Sequence, residues 1–232
     1  MVNKSIGIAK KGSRFCLQEY IKKDKNKLSE IITASSLSLI SFMDKEMKVN
    51  WKSPLAADDF CEYRDDFLRR LDINTITEEA DKKLRLFWPA NGPKWDGIAV
   101  VDGKGIKKGI LLIEAKSHTS ETKSDMKATA DKSIDLINSS IEKVQNYMGI
   151  EPQIWTNEYY QLANRISYLY FLNVELKIPT WLVLINFTED ISYKNTVRGE
   201  WLKHYNIIAC KMGIKEDCKL LDKIIMVFTP PI

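Results

Sequence analysis

The chain has 232 residues, 44% of them hydrophobic and 10% aromatic, which suits one large domain with a sizeable core. Its 35 basic and 31 acidic residues leave a net charge of +4, which permits a polyanionic partner but equally describes an ordinary solvated surface. Four scattered cysteines with no Cys-x-x-Cys pair, two histidines, no nucleophile elbow and no phosphate-binding glycine loop argue against a zinc site, a disulfide framework, a hydrolase triad and nucleotide-driven chemistry. No apolar stretch reaches the ~18 residues that would span a bilayer. The first residues lack the apolar region of a secretory signal, so the cytoplasm is the expected location and no membrane partner is expected.

In chain order, residues 14–47 read as one or two helices, part of a helical extension over residues 1–50. Lys4, Lys10, Lys11, Arg14, Lys22, Lys23, Lys25 and Lys27 cluster there, either a polyanion-facing arm or a solubilising segment. A helix is expected over 57–70, because Phe60, Tyr63, Phe67 and Leu68 recur at helical spacing, and a short one over 76–83. Leu84–Trp88 reads as a first strand stopped by Pro89. Strands over Ile98–Val101 and Ile110–Ile113 follow. Helices are then expected over Ser124–Met148, stopped by Gly149, and over Asn157–Leu176. A central strand over Pro179–Phe187, a helix over Arg198–Met212 ended by Gly213 and a last strand over Ile224–Phe228 complete the chain. The expected fold is α/β: a mixed central sheet flanked by helices, in a single domain spanning 1–232.

The chemistry concentrates on the hairpin. Asp102-Gly103-Lys104-Gly105 is a turn-forming cluster between two aliphatic runs, so the runs should pair antiparallel. If the turn is centred on Gly105, Asp96 and Glu114 each lie nine residues from it and face one another. Alternation puts Lys116 on the same face as Glu114. A bulge in the turn would break this register. Two facing carboxylates repel unless a cation lies between them. Mg²⁺, or Mn²⁺ in its place, takes one or two carboxylates plus waters and phosphate oxygens, and the Ala115 carbonyl is a further ligand candidate. Such an ion polarises a phosphate and activates water, while Lys116 would orient the water or offset charge in the transition state. The competing reading is an amphipathic hairpin with a surface ion pair.

Asp96, Glu114 and Lys116 resemble the signature of the PD-(D/E)XK nuclease superfamily, the restriction-endonuclease-like fold. The proline that usually precedes the aspartate is missing; Lys94-Trp95 stands there, with Pro93 just before. The strings Trp51-Lys52-Ser53-Pro54-Leu55, Gly92-Pro93-Lys94-Trp95-Asp96, Glu114-Ala115-Lys116-Ser117-His118 and Tyr160-Gln161-Leu162-Ala163-Asn164-Arg165 are similar to a group of small bacterial members, over most of the chain from about residue 50. The resemblance implies a restriction-endonuclease-like core and a Mg²⁺-dependent nuclease cutting nucleic acid, with DNA favoured over RNA. It implies a further acid from a helix before the hairpin. Glu62 fits, sharing a helical face with Asp58, unless that face is simply solvated; Glu30 is a rival. It also implies a glutamine from a later helix, for which Gln161 stands ready, with Asn164 and Arg165 one turn on as phosphate ligands. Glu121 and His118 could line the rim. Trp88, Trp95, Tyr159 and Tyr160 read as core, with one free to stack on a base. A non-catalytic binding or scaffolding protein on the same fold, and a metal-dependent phosphoesterase for small substrates, are the alternatives. No helix-turn-helix or zinc finger gives sequence specificity, and no feature fixes the oligomeric state.

Overall fold

The computed structural model describes residues 7–73, 78–105 and 107–232. Five strands form one mixed sheet: β1 (Val49–Ser53), β2 (Gly97–Asp102), β3 (Lys108–Lys116), β4 (Thr180–Phe187) and β5 (Ile224–Thr229), in that spatial order. β1–β2 and β2–β3 pair antiparallel, while β3–β4 and β4–β5 pair parallel. Six helices accompany it: α1 (Gly12–Ala34), α2 (Leu37–Phe42), α3 (Glu78–Phe87), α4 (Asp131–Met148), α5 (Tyr160–Tyr170) and α6 (Arg198–Met212).

The two faces of the sheet are sorted by parity, as a pleated strand requires. Ala99, Val101, Leu111, Ile113, Val183 and Ile185 pack on one face against Cys16, Leu17, Tyr20, Leu28 and Ile32 of α1. Ile98, Val100, Ile110, Leu112, Leu182 and Leu184 pack on the other face with residues of α3, α4, α5 and α6. β3 is buried from Gly109 to Ala115, and β4 along its whole length. That accounts for their nearly continuous apolar sequence. The N-terminal helices are therefore not an appendage: α1 covers a whole sheet face. It kinks at Asp24, whose carboxylate accepts the Lys27 N–H at 3.0 Å and restarts the helix.

Several expectations are corrected. The segment 57–70 is not an α-helix. It has a 3₁₀ turn at Ala56–Asp58, positive φ at Asp59 and Phe60, an extended stretch, and a second 3₁₀ turn at Phe67–Arg70. The aromatic residues with helical spacing are buried from a loop instead, so burial alone produced the pattern. Leu84–Trp88 is not a strand; its first four residues finish α3, where Leu84 and Phe87 face the core and Leu86 is exposed. The short helix expected over 76–83 is α3, with residues 76 and 77 outside the described residues. The first strand is instead Val49–Ser53, which carries a bulge between Trp51 and Ser53. The fourth helix starts at Asp131 rather than Ser124, and the fifth ends in a π turn at Phe171–Glu175. Gly149 and Gly213 cap α4 and α6 at φ 78 and 70. Among the described residues, no helix is long and apolar enough to cross a membrane.

The segment entering β2 is clamped. Asp65 accepts the N–H groups of Asn91 and Gly92, each at 2.9 Å. Gly92 lies so close to Tyr168 that an added Cβ would overlap its hydroxyl oxygen. Gly92→Ala should therefore displace Tyr168 or the Pro93–Asp96 backbone and destabilise the protein by about 1–3 kcal/mol, the usual cost of overpacking. Urea denaturation checks this; an unchanged midpoint would show that the contact relaxes freely.

Candidate functional site

The hairpin register places residues equidistant from Gly105 opposite each other, from Asp102–Lys108 to Gly97–Ile113. The ladder then stops one residue short of Asp96. Trp95 leaves the sheet, and its N–H goes to the Tyr63 carbonyl at 2.9 Å. Asp96 Oδ2 accepts the Ala115 N–H at 2.8 Å in place of a backbone carbonyl. A strand residue points its N–H and C=O to the same side, so the Ala115 carbonyl also faces Asp96 rather than β4.

Glu114 lies opposite on β3 and is 4% exposed. Its Oε1 pairs with Lys116 Nζ, and its Oε2 accepts Arg165 Nε–H at 2.7 Å. Arg165, also 4% exposed, donates from Nη2 to the Lys94 carbonyl at 2.9 Å and from Nη1 to Asn164 Oδ1 at 3.2 Å. Its guanidinium lies 4.8 Å over the Trp95 ring. α5 delivers it because the helix start is pinned: Ser124 Oγ accepts the Gln161 N–H at 2.8 Å. Every residue from Ala163 to Tyr170 is then buried, with α5 packed on both the sheet and the neighbouring helices.

The electrostatics follow from these contacts. Burial first, then the charge of Glu114, pushes the Asp96 carboxyl up to about 7, against the opposing pull of Lys116 and the Ala115 N–H. Glu114 behaves in the opposite way. Its burial would raise it, but Arg165 and Lys116 outweigh burial and hold it below the ordinary carboxylate range. Burial would lower Lys116, yet Glu114 and Asp96 keep it above its usual value. The pair thus splits into one acid that resists ionisation and one that is firmly ionised.

A stability profile follows. An acid whose folded-state value is raised binds more protons in the folded chain, so its contribution is lost as pH rises from about 4 toward 7. Glu114 has the reverse sign, and its contribution is lost as pH falls below the ordinary carboxylate range. In EDTA, Asp96→Asn should flatten the decline between about pH 4 and 7 and raise the melting temperature on the alkaline side. A variant with the same slope as the unsubstituted protein would contradict the burial of Asp96.

The remaining sequence candidates separate cleanly. Glu62 is buried and adds to the negative charge felt by Asp96, although a loop brings it there; its Oε2 pairs with Lys94 Nζ at 2.6 Å. Asp58 is exposed on its 3₁₀ turn and shares no helix face with Glu62. Glu30 sits exposed on α1 in a groove beside β1, away from the site. Gln161 lines a cavity of about 20 Å³ with Glu114, Lys116, Thr122 and Tyr205, room for one water. Arg165 and Asn164 are not open phosphate ligands, because they are committed to Glu114 and to each other. Glu121 turns toward α1, accepting from Ser117 and from Ser13 Oγ at 2.8 Å, and His118 caps its own turn through Ser120 N–H. Trp88, Trp95 and Tyr159 are core, and Tyr160 is partly buried against it.

Two residues enter that the sequence reading did not single out. Asn186 sits beside Lys116 in the β3–β4 register and is fully buried. Tyr205 of α6 donates its hydroxyl to Asn186 Oδ1 at 2.8 Å. Burial, then the charge of Glu114, raises the Tyr205 hydroxyl. The lone amide in the apolar run Trp181–Phe187 was the available signal.

Comparison with protein-family models, with curated proteins and with solved structures returns no match. The functional reading therefore rests on this geometry. Among the described residues, no three acidic, histidine or cysteine side chains converge as a ready-made metal cage. The donor set is hard and sparse: the Asp96 carboxyl, the Glu114 carboxyl and the Ala115 carbonyl. That set suits Mg²⁺ or Mn²⁺, which keep waters and phosphate oxygens in their shells. Burial, and then the neighbouring Glu114 charge, raise Asp96, and a cation between two carboxylates would relieve the second of these.

Proposed function

We propose that this chain is a divalent-metal-dependent nuclease with a restriction-endonuclease-like core, hydrolysing phosphodiester bonds of nucleic acid, DNA ahead of RNA. The observation that carries the reading is the grouping of the buried Glu114 with the half-buried Asp96 and Lys116 at the ends of two adjacent strands, with the ionisation of the two acids pushed apart. Opposed behaviour of neighbouring titratable groups is a mark of functional sites. Asp96 and Glu114 would hold Mg²⁺ or Mn²⁺, with the Ala115 carbonyl beside them. The bound ion would supply Lewis-acid activation of the phosphate and of water.

The chain's own groups do the rest. Lys116 stays charged beside the carboxylates and stabilises negative charge that grows on the phosphate. Gln161, beside Lys116 at the small cavity, orients a water there. Glu62 with Lys94 borders Asp96 on the far side. The start of α1 is tied to the loop after β3 through Ser13 and Glu121. This sets Lys10, Lys11 and Arg14 where they can attract a polyanion.

A second reading has its own observation. Both oxygens of Glu114 are already neutralised by buried cations, as in a structural ion-pair network. On that reading the fold is a non-catalytic binding or scaffolding protein. Mn²⁺ separates the two. Metal that binds only the native chain raises its melting temperature by mass action. The nuclease reading expects a concentration-dependent rise that Asp96→Asn weakens. No rise at millimolar Mn²⁺, or an equal rise in the variant, favours the structural network.

A further inference from the structure

Arg165 is the member of the cluster whose presence the nuclease reading does not require. Glu114 has two oxygens, and both are taken: one by Lys116, the other by Arg165 Nε at 2.7 Å. A divalent cation approaching Glu114 therefore meets a carboxylate whose charge is already shared by two cations, with one engaged lone pair on each oxygen. Glu114 already faces two cations, Lys116 and Arg165, so a divalent ion also enters beside a carboxylate that is compensated without it.

A cation bound there repels both partners, and the contacts distinguish which of them stays anchored on giving way. Among the described residues, Lys116 hydrogen-bonds Glu114 alone. It is held by the carboxylates and shielded to 12% exposure. Arg165 has a second set of anchors: the Lys94 carbonyl, Asn164 Oδ1 and the face of Trp95. Those anchors hold the guanidinium in place when Nε releases Glu114. A guanidinium so released is a planar fork of donors at the metal-facing carboxylate, the geometry that suits a phosphate oxygen.

We propose that Arg165 is the resident counter-cation of Glu114 and that it exchanges this carboxylate for a phosphate of the incoming phosphodiester as the metal binds. This rests on the metal-centre reading above. Neither partner enters well alone. Metal without phosphate strands a buried guanidinium, and phosphate without metal strands the Glu114 carboxylate. Each ligand removes the cost of the other, so metal and phosphodiester bind cooperatively, and the coupling is reciprocal.

The test titrates the full ¹⁵N-labelled chain with Mg²⁺, with and without a short phosphorothioate oligothymidylate. It follows Mg²⁺ affinity by calorimetry and the Arg165 Nε–H signal by NMR, with Glu114→Ala marking the site. The oligonucleotide is expected to tighten Mg²⁺ about 5–150-fold, the usual range of coupling between sites. The Nε–H signal should move only when both are present. In Arg165→Met, Mg²⁺ should bind more tightly alone, and the oligonucleotide should no longer change its affinity. Should that variant fail to fold, the unsubstituted chain decides alone: a Nε–H signal unmoved by joint addition overturns the proposal. Mg²⁺ that binds at Glu114 with the same affinity with and without the oligonucleotide also overturns it, and leaves the metal centre standing. No Mg²⁺ binding under either condition removes the metal centre, and the exchange with it.

Discussion

Glu114→Ala should cost the metal-free protein about 3–5 kcal/mol, because it strands two buried cations at once. Arg165 keeps the Lys94 carbonyl and Asn164, but loses its carboxylate partner. Lys116 loses the partner that outweighs its burial. The same substitution removes one of the two carboxylates proposed to hold the metal, so any rise in melting temperature with Mn²⁺ should vanish. Urea denaturation in EDTA and with Mn²⁺ reads both effects. Adding Arg165→Met to Glu114→Ala should recover part of the lost stability, since the stranded guanidinium goes with it. A loss below about 1 kcal/mol for the single variant would mean that the pairs behave as exposed ones do.

Lys116→Ala should lower cleavage by roughly 10²–10³-fold, the size of effect seen when one donor to developing negative charge is removed. Its effect on metal affinity should be small, because the lysine is no ligand and Glu114 keeps Arg165. Arginine should rescue poorly, a planar fork replacing a compact charge. Asn186 and Tyr205 next to it form their own hydrogen bond and do not need the ammonium, so the fold should tolerate the change. Single-turnover cleavage with a parallel Mn²⁺ titration separates the two quantities. Rates equal to those of the unsubstituted protein would reduce Lys116 to a solvating group at a strand end.

The hairpin was legible because strand alternation and a central turn fix register arithmetically, and the ladder follows that register from Asp102–Lys108 to Gly97–Ile113. Helices with a glycine stop were also legible; α6 spans the expected Arg198–Met212 and ends at Gly213. The segment around Glu62 was not. Buried aromatic residues in a loop mimic a helical face, and the positive φ values of Asp59 and Phe60 have no glycine to announce them. Leu84–Trp88 misled because five mostly apolar residues before a proline fit a strand and a helix end equally well. Val49–Ser53 hid because β1 is a short edge strand with Lys and Asn among its five residues. Of the site, the spacing of Asp96, Glu114 and Lys116 was readable. The commitment of Arg165 to Glu114 was not, because it joins side chains 51 positions apart in sequence.

The most direct test is cleavage itself. Labelled single- and double-stranded DNA and RNA are incubated with the full chain in Mg²⁺, in Mn²⁺ and in EDTA, beside Asp96→Asn purified identically. The account predicts shortening of at least one nucleic acid, DNA first, with either metal, none in EDTA, and none with the variant. Intact substrates throughout, or cleavage that persists in EDTA or in Asp96→Asn, would contradict it.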